Sequence, residues 1–129
     1  MLLCRARSIF PPYAIARRMS SAPAAKHKFV VFAPDRTDAG CLERRLRVRP
    51  THLAGAATMW DAGSMKLGGA MLTPESLTTG EKTMVGSVLI IEAESLAAAR
   101  AVVEADVYYT ADVWDPEKLV IAPFVAAHM

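Results

Sequence analysis

Between residues 27 and 125 the apolar side chains switch from strand-like to helix-like spacing and back, and this succession constrains the fold more than any other feature. Alternation marks a half-buried strand, whereas recurrence at three and four residues marks one face of a helix. Phe29-Val30-Val31-Phe32, within His27 to Pro34 and stopped by proline, reads as a first strand. Leu42, Leu46, Leu53, Ala56, Ala57 and Trp60 then form one apolar helical stripe. It ends at Asp61-Ala62-Gly63, where Gly63 can serve as a left-handed cap. Pro50 lies inside that helix and is expected to kink or split it, because it lacks an N–H and its ring crowds the preceding turn.

Residues 64–72 alternate through Met65, Leu67, Gly69 and Met71 as a second strand, with a Gly68-Gly69 pair inside it. Thr73 to Glu81 reads as a turn-rich loop. Met84 to Ile91 is a third strand, in which Gly86 marks a bulge or a close backbone approach. Ser95 caps a second helix whose Leu96, Ala99, Val102 and Val103 are expected to face inward. A Tyr- and Trp-rich stretch from Asp106 to Asp115 leads into a last strand carrying Leu119, Ile121 and Val125. Pro123 has no N–H for a ladder, so that strand end belongs at an edge or bulge.

The order β-α-β-β-α-β is the ferredoxin-like, split βαβ arrangement of the α+β class: a four-stranded antiparallel sheet with two helices on one face. The opposite sheet face also carries apolar alternation and needs a cover. A second copy of the same sheet supplies one, so a homodimer is expected.

At 129 residues the chain has the length of one domain. Its longest apolar runs are far shorter than the roughly 18 residues of a membrane-spanning helix. The formal charge of +2 hides an asymmetry. Arg5, Arg7, Arg17, Arg18, Lys26 and Lys28 fall within residues 1–28, which hold no acid, so the rest of the chain is net acidic. The basic balance therefore gives no ground for a nucleic-acid partner. Residues 1–26, rich in Arg, Ser and Ala and broken by Pro11-Pro12, have the profile of a mitochondrial transit peptide. A basic tail without an address is the alternative, as is a start at Met19, which would leave the protein in the cytoplasm. Residues 27–129 make up the folded domain. Cys4 falls in the N-terminal segment, leaving Cys41 alone in the domain with no partner for an intrachain disulfide.

No Gly-rich phosphate loop, CxxC, HExxH or Gly-x-Ser-x-Gly is present, so neither a cofactor nor a metal is expected. His27 and His128 lie near the domain's ends, which leaves His52 as the histidine embedded in a structured element. Arg45, Arg49 and His52 share one helical face. His52 can be a functional imidazole or a surface residue beside a solvated arginine stripe running from Arg44 to Arg49. Asp106 closes the second helix, where the negative end of the helix dipole opposes an acid. It is either a simple turn former or a residue with another task. Tyr108, Tyr109 and Trp114 follow it, the mix expected either of a pocket wall or of core.

Taken together, Arg49-Pro-Thr-His52-Leu, the Gly68-Gly69 strand, Gly86-Ser87, Asp106-x-Tyr108-Tyr109 and Leu119-Val-Ile-Ala-Pro-Phe124 resemble the YciI-like (YCII-related) proteins in order and spacing. The resemblance spans about residues 27–125. It implies a dimeric α+β barrel of ferredoxin-like subunits and a pocket with a paired histidine and aspartate, here His52 and Asp106. Arg49, Gly69, Tyr108 and Trp114 would line the substrate side. Many members carry proline straight after the aspartate, where this chain has Val107.

An imidazole titrates near pH 6.5 when nothing perturbs it and can exchange protons at physiological pH, while a carboxylate beside it fixes its tautomer. The resemblance includes a dehydrochlorinase of a chlorinated hydroxyquinol, and muconolactone isomerases share the barrel. It therefore implies a cofactor-free lyase or isomerase acting on a small carbonyl, enol or lactone. The alternatives are a small-ligand binding module, with Trp60, Trp114, Tyr108 and the methionines around an apolar pocket, and a cofactor-free monooxygenase.

Overall fold

A computed structural model describes residues 22–128 of the chain. The segment read as a transit peptide, and Met19 with it, lies outside the described residues, apart from residues 22–26, which carry no helix or strand. The elements run β1 (His27–Pro34), α1 (Cys41–Asp61), β2 (Met65–Leu72), α2 (Ser76–Thr79), β3 (Met84–Ala93), α3 (Leu96–Ala105), α4 (Val107–Thr110) and β4 (Val120–Pro123). The strands form one antiparallel sheet in the order β2-β3-β1-β4, so the ferredoxin-like expectation holds.

Directly paired residues share a sheet face, and the register therefore sorts the side chains. Phe29, Val31 and Ala33 of β1 lie opposite Ile91, Leu89 and Ser87 of β3, and Ile121 of β4 joins them. This face is buried against Ala99 and Val103 of α3, Tyr108 of α4, and Val113 and Trp114 beyond it. The other face carries Val30, Phe32, Leu67, Val88, Ile90, Val120 and Ala122. Phe32, Leu67 and Val120 on it are 43%, 50% and 50% exposed. An apolar sheet face thus lies open in the single chain. Gly86 faces Pro34 in the ladder, and a Cβ there would lie 2.8 Å from the Ala33 carbonyl oxygen, the close approach expected of this glycine.

Helix α1 corrects the sequence reading twice. It continues unbroken through Pro50, which is exposed, so water can take over the carbonyl that the missing N–H leaves free. Its inward face is also not the leucine stripe. The buried positions are Cys41, Arg45 and His52, with Val48, Ala56 and Met59 packed beside them, whereas Leu42, Leu46, Leu53 and Trp60 are 38%, 51%, 45% and 57% exposed. The helix ends as expected. Gly63 sits at φ 73°, with Gly63 N–H donating to the Trp60 carbonyl and Ser64 N–H to that of Met59, a Schellman cap.

The remaining differences are local. The loop from Thr73 to Glu81 contains the single turn α2, and β3 runs on to Ala93. Ser95 Oγ accepts from Ala98 N–H at 3.0 Å and caps α3, which buries Ala99 and Val103 but leaves Leu96 and Val102 part exposed. The last strand stops at Pro123 on the sheet edge, and Val125 lies beyond it, 91% exposed.

Candidate active site

The cleft that brings the candidate residues together opens between α1 and β2 and has a volume of about 260 Å³. One wall comes from α1, with Arg45, Arg49, His52, Leu53 and Trp60. The other comes from the strands, with Met65, Gly68, Gly69, Met84 and Ser87, and Tyr108 enters from α4.

His52 Nδ1 lies 2.9 Å from both Asp106 carboxylate oxygens. A carboxylate can only accept, so Nδ1 carries the proton and donates, leaving Nε2 as the unprotonated nitrogen of the neutral ring. The two residues are 54 positions apart and meet because α1 and α4 pack together. Asp106 is also what starts α4. Extended at φ −67°, ψ 141°, it ends α3 and takes the Tyr108 N–H on Oδ1 at 2.8 Å as the N-cap of the next turn. Its unfavourable place at the end of one helix is thus a favourable place at the start of another. Val107 occupies the first position of α4. Proline is well tolerated there because that N–H has no intrahelical partner, so valine and proline can both leave the aspartate in place.

The His52 ring is held on a buried aromatic bed. Tyr108 stacks on it with centroids 3.9 Å apart and planes 18° from parallel, and the Trp114 ring meets it edge-on at 5.9 Å. The Arg45 guanidinium lies 4.4 Å from the Tyr108 centroid, a cation–π contact. Arg45 Nη1 donates to Asp35 at 2.7 Å, and its Nη2 donates to Ser87 Oγ at 3.0 Å. Trp114 Nε1 donates to the same Ser87 oxygen at 3.2 Å. Burial pushes the Asp35 carboxyl above the usual carboxylate range, and the Arg45 charge opposes that shift. Burial likewise raises the Tyr108 phenol, against the pull of Arg45 and Arg49. Cys41 is buried and lies outside the cleft lining. Its thiol donates to the Val113 carbonyl at 3.4 Å, and burial, followed by the Asp35 charge, raises its pKa.

Of the residues singled out in the sequence, His52, Arg49, Gly69 and Tyr108 line the cleft. Arg49 is exposed and makes no ion pair among the described residues. Trp114 is 1% exposed and is not part of the lining; it backs His52 and Tyr108 from behind. Sequence reasoning missed Asp35, gave Ser87 no role beyond the Gly86-Ser87 motif, and left Arg45 either on the face shared with His52 or in a solvated stripe. Arg45 is in fact 2% exposed. Its position seven residues before His52 on the same helical face was the available signal. No group of three or more His, Cys, Asp or Glu suited to a metal ion occurs among the described residues, and no described helix is long and apolar enough to cross a membrane.

Comparison with known proteins yields a consistent set. A model of the YCII-related domain matches residues 27–124. Protein YciI of Escherichia coli is 40% identical over 96 residues, spanning 74% of this chain and 94% of that protein. Fusaric acid biosynthesis protein 2 of Gibberella fujikuroi is 31% identical over 97 residues, spanning 75% of this chain and 91% of its own. Among solved structures, a 5-chloro-2-hydroxyhydroquinone dehydrochlorinase (TftG) of Burkholderia phenoliruptrix, in complex with 2,5-dihydroxybenzoquinone, is similar with a TM-score of 0.64. It is 27% identical, and the match covers 76% of this chain and 93% of that one.

Proposed function

The chain belongs to the YCII-related domain family, and from that footing we propose that it is a cofactor-independent lyase or isomerase using His52 and Asp106 as a general acid–base pair. The observation that carries this reading is the His52 Nδ1 contact of 2.9 Å to both Asp106 oxygens, in a ring that lines the cleft. Asp106 holds the tautomer and stabilises the imidazolium that forms, while Nε2 takes a proton from carbon next to the carbonyl of a small enol, lactone or other carbonyl substrate. The electron pair of the broken C–H bond moves into the enolate. Its collapse expels halide from the adjacent carbon, or expels hydroxide that takes the proton back from the His52 imidazolium and leaves as water, or His52 returns the proton at a new position to shift the double bond. The dehydrochlorinase neighbour with its bound dihydroxybenzoquinone supports this reaction class and a flat, oxygenated ring of modest size. Arg49 at the cleft edge would meet a negatively charged group of the substrate, and Gly69 and Tyr108 would line its seat.

The second reading, a binding module without chemistry, is favoured by the apolar share of the lining, Leu53, Trp60, Met65 and Met84. A thermal-shift screen of small enols, lactones and halogenated phenols, followed by assays across pH, separates the two. A ligand at about 100 times its Kd should add roughly 2.7 kcal/mol of apparent stability. The acid–base reading expects the hit to be turned over, with a rate that depends on pH. Binding that ignores pH, with no product, would favour the module.

Two further proposals complete this picture. The open apolar sheet face pairs with that of a second copy, and light scattering at micromolar concentration should return the mass of two chains; monomer alone would contradict it. Residues 1–26 carry the protein into the mitochondrial matrix. A fluorescent protein fused behind residues 1–28 should colocalise with mitochondria, and diffuse cytosolic signal would refute the address.

A further inference from the structure

Two residues that line the cleft each carry a buried hydrogen-bond donor with no acceptor among the described residues. Ser87 Oγ accepts from Arg45 Nη2 at 3.0 Å and from Trp114 Nε1 at 3.2 Å. Guanidinium and indole groups can only donate, so both lone pairs of the hydroxyl are engaged and its own proton is unspent. No acceptor for that proton occurs among the described residues. Arg45 is in the same condition: Nη1 is engaged by Asp35 and Nη2 by Ser87, while its buried Nε–H has no partner among the described residues. Each of the two residues is 2% exposed, so bulk water does not reach these donors freely. Both line the cleft that holds His52. Asp35 Oδ2, also unpartnered, belongs to a residue outside that lining.

We propose that the Ser87 hydroxyl and Arg45 Nε–H form an oxyanion subsite that receives the carbonyl oxygen of the substrate; this deepens the proton-transfer reading above and rests on it. As His52 Nε2 takes the proton from the neighbouring carbon, the C–H pair becomes the new C–C π bond, and the carbonyl π pair moves onto oxygen. That oxygen then accepts from Ser87 and Arg45. The two donors already bound to Ser87, one of them cationic, draw charge from its oxygen and strengthen its O–H as a donor. Asp35 balances the Arg45 charge, so the subsite suits a neutral carbonyl that becomes an enolate better than a phosphate or a dianion. The substrate class is therefore ketones, lactones and quinone-like compounds with an acidic C–H beside the carbonyl.

The test uses 4-nitrophenol as an oxyanion probe on the full-length chain, at a pH where the free phenol is mostly protonated. Wild type should bind it as the phenolate, seen as growth of the phenolate absorbance. Ser87→Ala should weaken that binding by about tenfold to a hundredfold, the range for losing one hydrogen bond to a charged group. Ser87→Cys, nearly isosteric with a weaker donor, provides the same comparison if Ser87→Ala fails to fold, and Ser87→Thr should retain binding. Phenolate affinity unchanged in Ser87→Ala or Ser87→Cys, no ionised probe on wild type, or a signal lost in Arg49→Ala but kept in the Ser87 variants would each overturn the subsite. Failure of the acid–base reading looks different: Ser87-dependent phenolate binding with no exchange of substrate C–H for solvent deuterium.

Discussion

His52→Ala and Asp106→Ala are each expected to lower turnover by about 10²–10⁴-fold, with the double variant falling little further. Non-additivity follows from the geometry, because Asp106 acts on substrate only through the His52 ring it holds at 2.9 Å. Asp106 also caps α4 through the Tyr108 N–H, so its alanine variant should lose about 1 kcal/mol of stability as well. Asp106→Asn separates the two roles. An asparagine still caps the turn, but its amide can present a donor to Nδ1 and favour the wrong tautomer. That variant should melt close to wild type and remain nearly as inactive as Asp106→Ala. Activity restored in Asp106→Asn, or single losses that multiply in the double variant, would contradict a coupled pair. The readout is kcat/KM on the substrate identified by the screen, with a thermal melt of every variant.

The second large effect concerns stability. Asp35→Ala leaves the Arg45 guanidinium 2% exposed without its carboxylate, and breaking a buried pair in this way costs about 3–5 kcal/mol. That is a large fraction of the roughly 5–15 kcal/mol that holds a domain folded. Burial raises the Asp35 carboxyl and the Arg45 charge opposes that shift, and removing both charges removes the cost of desolvating them along with their attraction. Replacing both partners, as Asp35→Ala with Arg45→Met, should therefore cost much less than Asp35→Ala alone. Urea unfolding measures the difference, and a single variant within about 1 kcal/mol of wild type would show that the pair does not support the fold.

The succession of elements was legible in the sequence because each strand and helix repeats its own apolar period. The inward face of α1 was not. Its sheet-facing line carries Arg45 and His52, and a polar side chain reads as buried only when its partner is known. Those partners, Asp35, Ser87 and Asp106, come from the residue just after β1, from β3 and from the α3–α4 junction, beyond the reach of any local pattern. The exposed leucines of α1 imitated a core stripe for the same reason: period fixes that a helix is amphipathic, not which of two adjacent lines meets the sheet. Pro50 does not split the helix, because it sits on an exposed stretch where water can take over the carbonyl it orphans. The turn α4 was hidden because a single helical turn carries almost no periodicity, although Asp106 is a standard cap type. The juxtaposition of His52 with Asp106 could be anticipated only through the family resemblance, since nothing in their own neighbourhoods links positions on separate helices.

Solvent deuterium exchange tests the acid–base account most directly. Small ketones, lactones and hydroxyquinones are incubated with the full-length chain in D₂O and followed by NMR, beside His52→Ala and a no-enzyme control. The account predicts that at least one compound exchanges the hydrogen on carbon next to its carbonyl far faster with wild type than with His52→Ala, which should stay near the uncatalysed rate. Exchange at equal rates in the two proteins, or none above background for any compound the cleft binds, would contradict it.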